Sequence, residues 1–293
     1  MCKCTSDAAL PFGYADDVSP WYEIDPNKSR DDIIADIKRD LAALKAWGDD
    51  NNTTFEKSKM EMVIVSNKRL PFDASGICFD GFDIPCRSSI KLVGYTIDSK
   101  LRWGPMVDRL AKKARARIGA LRRIAHHLDS SNMKIMYSSF IRSIMEFGSV
   151  AWMGAAPTHL AKLDRVQDSA QRIGKFDIEP LGLRRQAAAL KFGFKLLSGS
   201  CKGVLNRYIP KLHEPTVRST RVSRHTLNGT QVIPVTSTTS LDTFKRGFHG
   251  ILPNIWSKLP QVLVGKGRTC GWDKVTKRCV NHILRGDKNL EEN

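Results

Sequence analysis

An α+β fold is predicted, with strands before about residue 100 and helices after it, and three observations carry that expectation. Short apolar runs bounded by turn residues recur through the first hundred positions, three stretches between 106 and 175 repeat apolar residues at helical spacing, and the charge changes sign where the pattern changes. The chain has 293 residues, 41% hydrophobic and 8% aromatic, enough for about two units that each bury a core. No uninterrupted apolar run approaches the ~18 residues of a membrane helix, and the first residues lack the apolar core of a signal peptide. The expectation is an intracellular protein, nuclear or cytoplasmic, with no membrane partner. Seven dispersed cysteines suggest reduced thiols and no disulfide framework.

Taken in order, Ser29 followed by Asp31 and Asp32 reads as an N-cap with an acidic first turn. Ile33, Ile37, Leu41, Leu44 and Trp47 then keep helical spacing to Gly48. Met60–Val65 suits a buried strand, Ile77–Phe79 and Phe82–Ile84 a hairpin around Gly81, and Lys91–Ile97 a further strand. From Met106 the period becomes helical: Val107, Leu110, Ala114, Ile118, Leu121, Ala125 and Leu128 form one stripe. A second helix is expected after Ser131 through Ile135, Phe140, Ile144 and Phe147, and a third on Leu160, Leu163, Val166, Ala170 and Ile173. Short connections make these a bundle. Trp103, Phe140, Phe147 and Trp152 are expected in its core, and His126 and His127 on the surface. Beyond Gly182 the apolar pattern weakens. Residues 213–240 read as a loop or linker, Leu241–Ile251 as a last helix ending before Pro253, and 263–293 as a basic irregular tail. Cys270, Cys279 and His282 are spaced poorly for zinc.

The formal charge is +17, and its distribution is uneven. Residues 1–100 carry 13 basic and 17 acidic side chains, and residues 101–293 carry 34 and 13. A basic field of this kind attracts polyanions, of which nucleic acid is the commonest partner of an intracellular protein; a merely solubilising surface has the same charge count. Arg109, Lys112, Lys113, Arg115, Arg117, Arg122 and Arg123 occupy much of the helix face opposite the 107–128 stripe. That face suits either phosphates or water.

One short string carries a chemical reading: Phe12-Gly13-Tyr14-Ala15-Asp16-Asp17, where two adjacent carboxylates call for a compensating cation. Oxygen ligands of this type suit Mg²⁺ and two-metal phosphoryl transfer. Asp-Asp also occurs at 31–32 and 49–50, where a helix cap and a solvated turn explain it. The pair alone is therefore weak.

Tyr14-Ala15-Asp16-Asp17 resembles the Tyr-x-Asp-Asp box of reverse transcriptases, and the order of features after it is similar to the C-terminal half of a jockey- or LINE-type non-LTR retrotransposon polymerase. The Asp31–Trp47 helix follows as in that family. Phe55-Glu56-Lys57-Ser58-Lys59-Met60-Glu61 resembles its Phe-Asn-x-x-Lys-Thr-Glu segment, with the family lysine at Lys59. Val93-Gly94-Tyr95-Thr96-Ile97-Asp98 is similar to the primer-grip strand end, and Asp98–Trp103 to Asp-x-x-Leu-x-Trp. The series continues through the basic helix, Tyr137–Gly148, Trp152–Ala156 and Leu160–Arg172. It covers roughly residues 12–175.

The resemblance implies a partial right-hand palm over 1–104, made of a short antiparallel sheet plus a helix, an α-helical thumb-like bundle over 105–180, and a basic, partly irregular extension over 181–293. It implies Mg²⁺ at Asp16 and Asp17, Lys59 assisting the leaving pyrophosphate, and Tyr14, Gly94 and the basic helix face against nucleic acid. Its partners would be an RNA template and DNA primer or their hybrid duplex, with deoxynucleoside triphosphates in the intact ancestor. Only 13 residues precede Tyr14, so the fingers and the first palm aspartate are expected to be missing and the chain to be a truncated polymerase, inactive alone. Pro11 and Pro20 are expected to damage the strands beside the box. A non-catalytic basic nucleic-acid-binding protein derived from such an element is the alternative.

Overall fold

The computed structural model describes residues 9–14, 17–69, 71–197, 246–257, 279–281 and 283. The fold is α+β, and the chain divides into two compact units, Met1–Leu101 and Arg102–Asn293. The 213–240 linker and most of the 263–293 tail, with Cys270 and His282, lie outside the described residues.

Among its described residues the first unit has three separate two-stranded antiparallel hairpins where the sequence suggested one short sheet. Strand β1 (Ala9–Tyr14) pairs with β2 (Asp17–Tyr22), closing at Tyr14–Asp17. The expected damage from proline does not occur, because Pro11 and Pro20 face each other on a single rung. Hydrogen-bonded and non-hydrogen-bonded rungs alternate from the closing pair of a two-residue hairpin, which puts the prolines where a residue's N–H points away from its partner strand. The hairpin loses nothing internally, but neither edge can accept a third strand at that rung.

Helix α1 (Arg30–Asp50) starts where expected: the Ser29 side chain accepts from Asp32 N, and Asp31 and Asp32 sit in the first turn. It runs two residues past Gly48, where a Cβ would lie 2.7 Å from Thr53 O and 2.9 Å from the Phe55 ring. Its apolar side, Ile34 with Ile37 and Leu41, packs on Ala74, Ile77, Met62, Ile64, Phe72 and Ile84. Asp40 is buried beside Tyr22, and burial together with that carboxylate pushes the phenol pKa up. The hairpin β3 (Cys78–Phe79) and β4 (Phe82–Asp83) turns on Asp80 (φ 45°) and Gly81 (φ 75°), as a tight hairpin requires. Met60–Val65 is not a strand. It makes one bridge, Met62 with Cys86, and packs its side chains without a ladder. The expected strand Lys91–Ile97 is instead part of a third hairpin, β5 (Ser89–Leu92) and β6 (Tyr95–Asp98).

In the second unit α2 (Gly104–Ile124) begins with proline in its first turn and buries Met106, Val107, Leu110, Ala111, Ala114, Ile118 and Leu121. It packs on α6 (Pro157–Gly174), whose buried residues include Leu163, Val166 and Ala170. Between them the expected second helix is three pieces: α3 (Ser130–Met136), a π-helical turn (Tyr137–Arg142) and α4 (Ser143–Met145). Its buried face is Met133, Tyr137, Ile141 and Met145. In a regular α-helix residues spaced by four advance about 40° per step around the axis. The wider π turn holds back that drift and keeps all four facing inward. Ile135, Phe140 and Phe147, expected inside, are consequently exposed, while Trp152 at the end of α5 (Ser149–Trp152) is fully buried. Trp103 is half-buried.

Helix α7 (Leu181–Leu197) lies where the sequence suggested the pattern was fading; Ala187, Ala189, Leu190 and Phe194 are buried. Against it packs α8 (Phe248–Ser257), which continues past Pro253 instead of stopping before it. Leu252 and Ile255 are buried, Leu252 against the backbone of Gly193, and that packing outweighs the proline's missing N–H. A polar chain crosses this core: Tyr137 OH donates to Gln167 Oε1 at 2.7 Å, and Gln167 Nε2 donates to Glu179 O at 3.1 Å. Replacing Tyr137 with Phe leaves a buried amide oxygen without its donor. We expect a loss of about 1–3 kcal/mol in urea unfolding, with near-native far-ultraviolet circular dichroism.

Candidate nucleic-acid interface

Tyr14 and Asp17, the described members of the Tyr-Ala-Asp-Asp string that belong to the first hairpin, lie at its closing end. Tyr14 is 60% exposed and Asp17 is exposed, the two forming the closing pair. Asp16 lies outside the described residues. Among the described residues no His, Cys, Asp or Glu joins Asp17 in a group of three able to hold a metal ion.

Lys59 is exposed at the end of a short 3-10 turn, Lys57–Lys59. Glu56, which stands where the resembling family has Asn, caps that turn: its Oε1 accepts from the Ser58 backbone and hydroxyl, which hold its pKa down. The neighbouring Lys57 is committed to Asp80 at 2.6 Å and lowers that carboxyl's pKa. Gly94 is at a hairpin tip, with φ 82° after Val93 at φ 44°, the two left-handed residues of a tight primed turn. Glycine meets that demand freely. Val93 does not, since a β-branched side chain in this region is strained.

The basic residues of α2 separate into two kinds. Lys112, Lys113, Arg115, Arg122 and Arg123 are exposed, and no carboxylate among the described residues pairs with them. From Lys112 to Arg123 the helix rises about 16 Å, roughly five base-pair steps of a duplex. Arg109 is half-buried, its guanidinium 3.1 Å from Met106 Sδ. Arg117 donates to Phe140 O at 3.3 Å and lies 6.0 Å from the Phe140 ring centroid. The single acidic residue of α2, Asp108, is turned to α6 and paired with Lys162 at 2.5 Å, which lowers its pKa, so it does not neutralise the outer face.

Charge of the other sign is placed elsewhere in this unit. A recess of about 580 Å³ is lined by Asp164, Asp168, Asp177 and Glu179 together with Lys134, and burial raises the Asp164 carboxyl pKa. Sequence reasoning missed one element of the surface around α2: Phe140 was expected in the core and is 51% exposed beside Arg117. The four-residue spacing of Met133, Tyr137, Ile141 and Met145 was the signal that another face is buried.

Compared with known proteins, the chain matches no family model, no curated protein and no solved structure. No helix among the described residues is long and apolar enough to cross a membrane.

The turn strain at Val93 is measurable. Val93→Asn places a residue tolerant of positive φ before Gly94 and should stabilise the first unit by about 1 kcal/mol in chemical denaturation. Gly94→Val should destabilise it by a similar or larger amount.

Proposed function

We propose that this chain is a piece of a non-LTR retrotransposon reverse transcriptase, comprising the end of the palm, the thumb-like helices and a basic extension, and that its own working activity is binding of nucleic acid. The observation that carries the proposal is the outer face of α2: five exposed cations that no carboxylate among the described residues pairs with, on one helix whose opposite face is buried against α6. Cations on such a helix neutralise backbone phosphates, and their effect is independent of base sequence. An RNA template annealed to a DNA primer is the duplex that the ordered motif series favours. Two further features are compatible with the palm part: a tight hairpin closing at Tyr14–Asp17 and a second one at Val93–Gly94.

Deoxynucleotide addition to a primer 3′-end, assisted by Mg²⁺ at Asp16 and Asp17 and by Lys59, is proposed for the ancestral enzyme alone. The proline rung of β1 and β2 limits how a strand carrying another aspartate could join this hairpin, and the chain is read as inactive by itself.

Two measurements test the reading. In titrations of a hybrid duplex at several salt concentrations, log K should fall steeply with log salt, and each neutralised cation that contacts a phosphate should reduce the slope by about 0.9. Replacing Lys112, Lys113, Arg115, Arg122 and Arg123 with Gln should remove most of that dependence; binding indifferent to salt would refute the proposal. In primer extension, this chain and an Asp16→Ala, Asp17→Ala variant should both give no product. Extension abolished by that variant would instead make the chain an active polymerase.

A further inference from the structure

The surface beside the α2 cations is aromatic. Phe140 is 51% exposed on the π turn, which packs along α2, and Ile135 is 59% exposed on α3 just before it. Side chains of this size are normally buried, and the alternative face of the same segment already supplies Met133, Tyr137, Ile141 and Met145 to the core. The ring is also held in place. Arg117 donates to the carbonyl of Phe140 at 3.3 Å and places its guanidinium carbon 6.0 Å from the ring centroid. Behind it, Tyr137 is bonded to Gln167, while Arg142 and Arg184 both engage Glu146. Ser139 and Ser143 return their hydroxyls to the carbonyls of Ile135 and Ser139, which ties down the intervening turns.

The charge around this platform has one sign. Neither residues 109–124 nor residues 130–145 contain an Asp or Glu, and Lys113 lies one turn before Arg117 on the same side of α2. A polyanion matches such a surface, but duplex phosphates alone give no reason for an exposed aromatic ring, because paired bases keep their faces stacked inside the helix. An unpaired base has a free π-face, and stacking on an aromatic side chain next to cations is how single strands are gripped without sequence preference.

We propose that Phe140 is a stacking platform for an unpaired base of single-stranded nucleic acid, with Arg117 and Lys113 taking the adjacent phosphates. This inference rests on the reading of α2 as a phosphate-binding face and adds the strandedness of what is bound there. The π-helical turn is what makes the platform, since it keeps Tyr137 and Ile141 inside while leaving Phe140 outside.

The test uses the full chain, a fluorescein-labelled oligo(dT) of about 12 nucleotides and a blunt duplex of the same length, with affinities read by anisotropy at fixed salt. Phe140→Ala should weaken oligo(dT) binding about tenfold and leave duplex affinity and the salt slope unchanged. Phe140→Leu, which keeps the apolar bulk and removes the π-face, should lose nearly as much. Phe140→Trp should restore the affinity and show, relative to the unsubstituted chain, additional tryptophan quenching when oligo(dT) is added. Equal oligo(dT) affinity in all four proteins overturns the platform while leaving the α2 reading intact if the duplex slope still responds to the five cations. Equal losses for duplex and oligo(dT) overturn it as well. A Phe140-dependent dimer in sedimentation, with oligo(dT) affinity unchanged, would assign the ring to a second copy of the chain and reject the proposal. Absence of salt-dependent binding to either probe would defeat the α2 reading and this inference together.

Discussion

Burial of the α2 stripe against α6, the π turn and α4 is the constraint on which the second unit depends. Met106, Val107, Leu110, Ile118 and Leu121 are nearly or wholly removed from water, and at about 1.5–3 kcal/mol per large side chain they represent roughly 8–15 kcal/mol of gross burial. A surface ion pair contributes about 0–1 kcal/mol. Packing therefore decides the rotation of the helix, and the position of its cations follows. Rolling α2 by one side-chain position would bury lysines and arginines without partners, at a cost no surface attraction offsets. The outer face is basic because the inner face is apolar, and it is rigid for the same reason. The α2 surface thereby requires no separate structural support to present its charge.

The first unit shows a different economy. Its strands form three hairpins with tight turns, and its core is made by α1 lying over loop residues such as Phe72, Ala74 and Ile77. The opposed prolines of β1 and β2 explain why a hairpin can persist there without growing. Their rung needs no donor internally and offers none externally. A device that protects an edge from unwanted pairing also restricts how this hairpin could grow into a larger sheet.

Much of this was legible in the sequence. The cap at Ser29, the Asp80–Gly81 turn, the α2 stripe and the α6 stripe all follow from local chemistry: an oxygen acceptor before an acidic turn, a residue pair suited to positive φ, and apolar spacing near 3.6. What escaped had tertiary causes. Val93-Gly94 read as strand because valine favours strands, and only the pairing of Leu92 with Tyr95 reveals a turn. The Ile135, Phe140, Ile144 and Phe147 stripe competed with Met133, Tyr137, Ile141 and Met145, and a π turn, which no propensity scale encodes, selected the second. Helix α7 was hidden because Ala187, Ala188 and Ala189 weaken a hydrophobic period while favouring a helix. The candidate site was legible as charge at Lys112, Lys113, Arg115, Arg122 and Arg123; the exposure of Phe140 was not.

Photocrosslinking tests most directly whether nucleic acid lies along the outer face of α2, as proposed. A DNA primer annealed to a template RNA carrying 4-thiouridine, crosslinked to the full chain and mapped by mass spectrometry, should mark peptides within residues 109–123. Crosslinks confined to other parts of the chain, or none at a concentration that saturates binding, would contradict it.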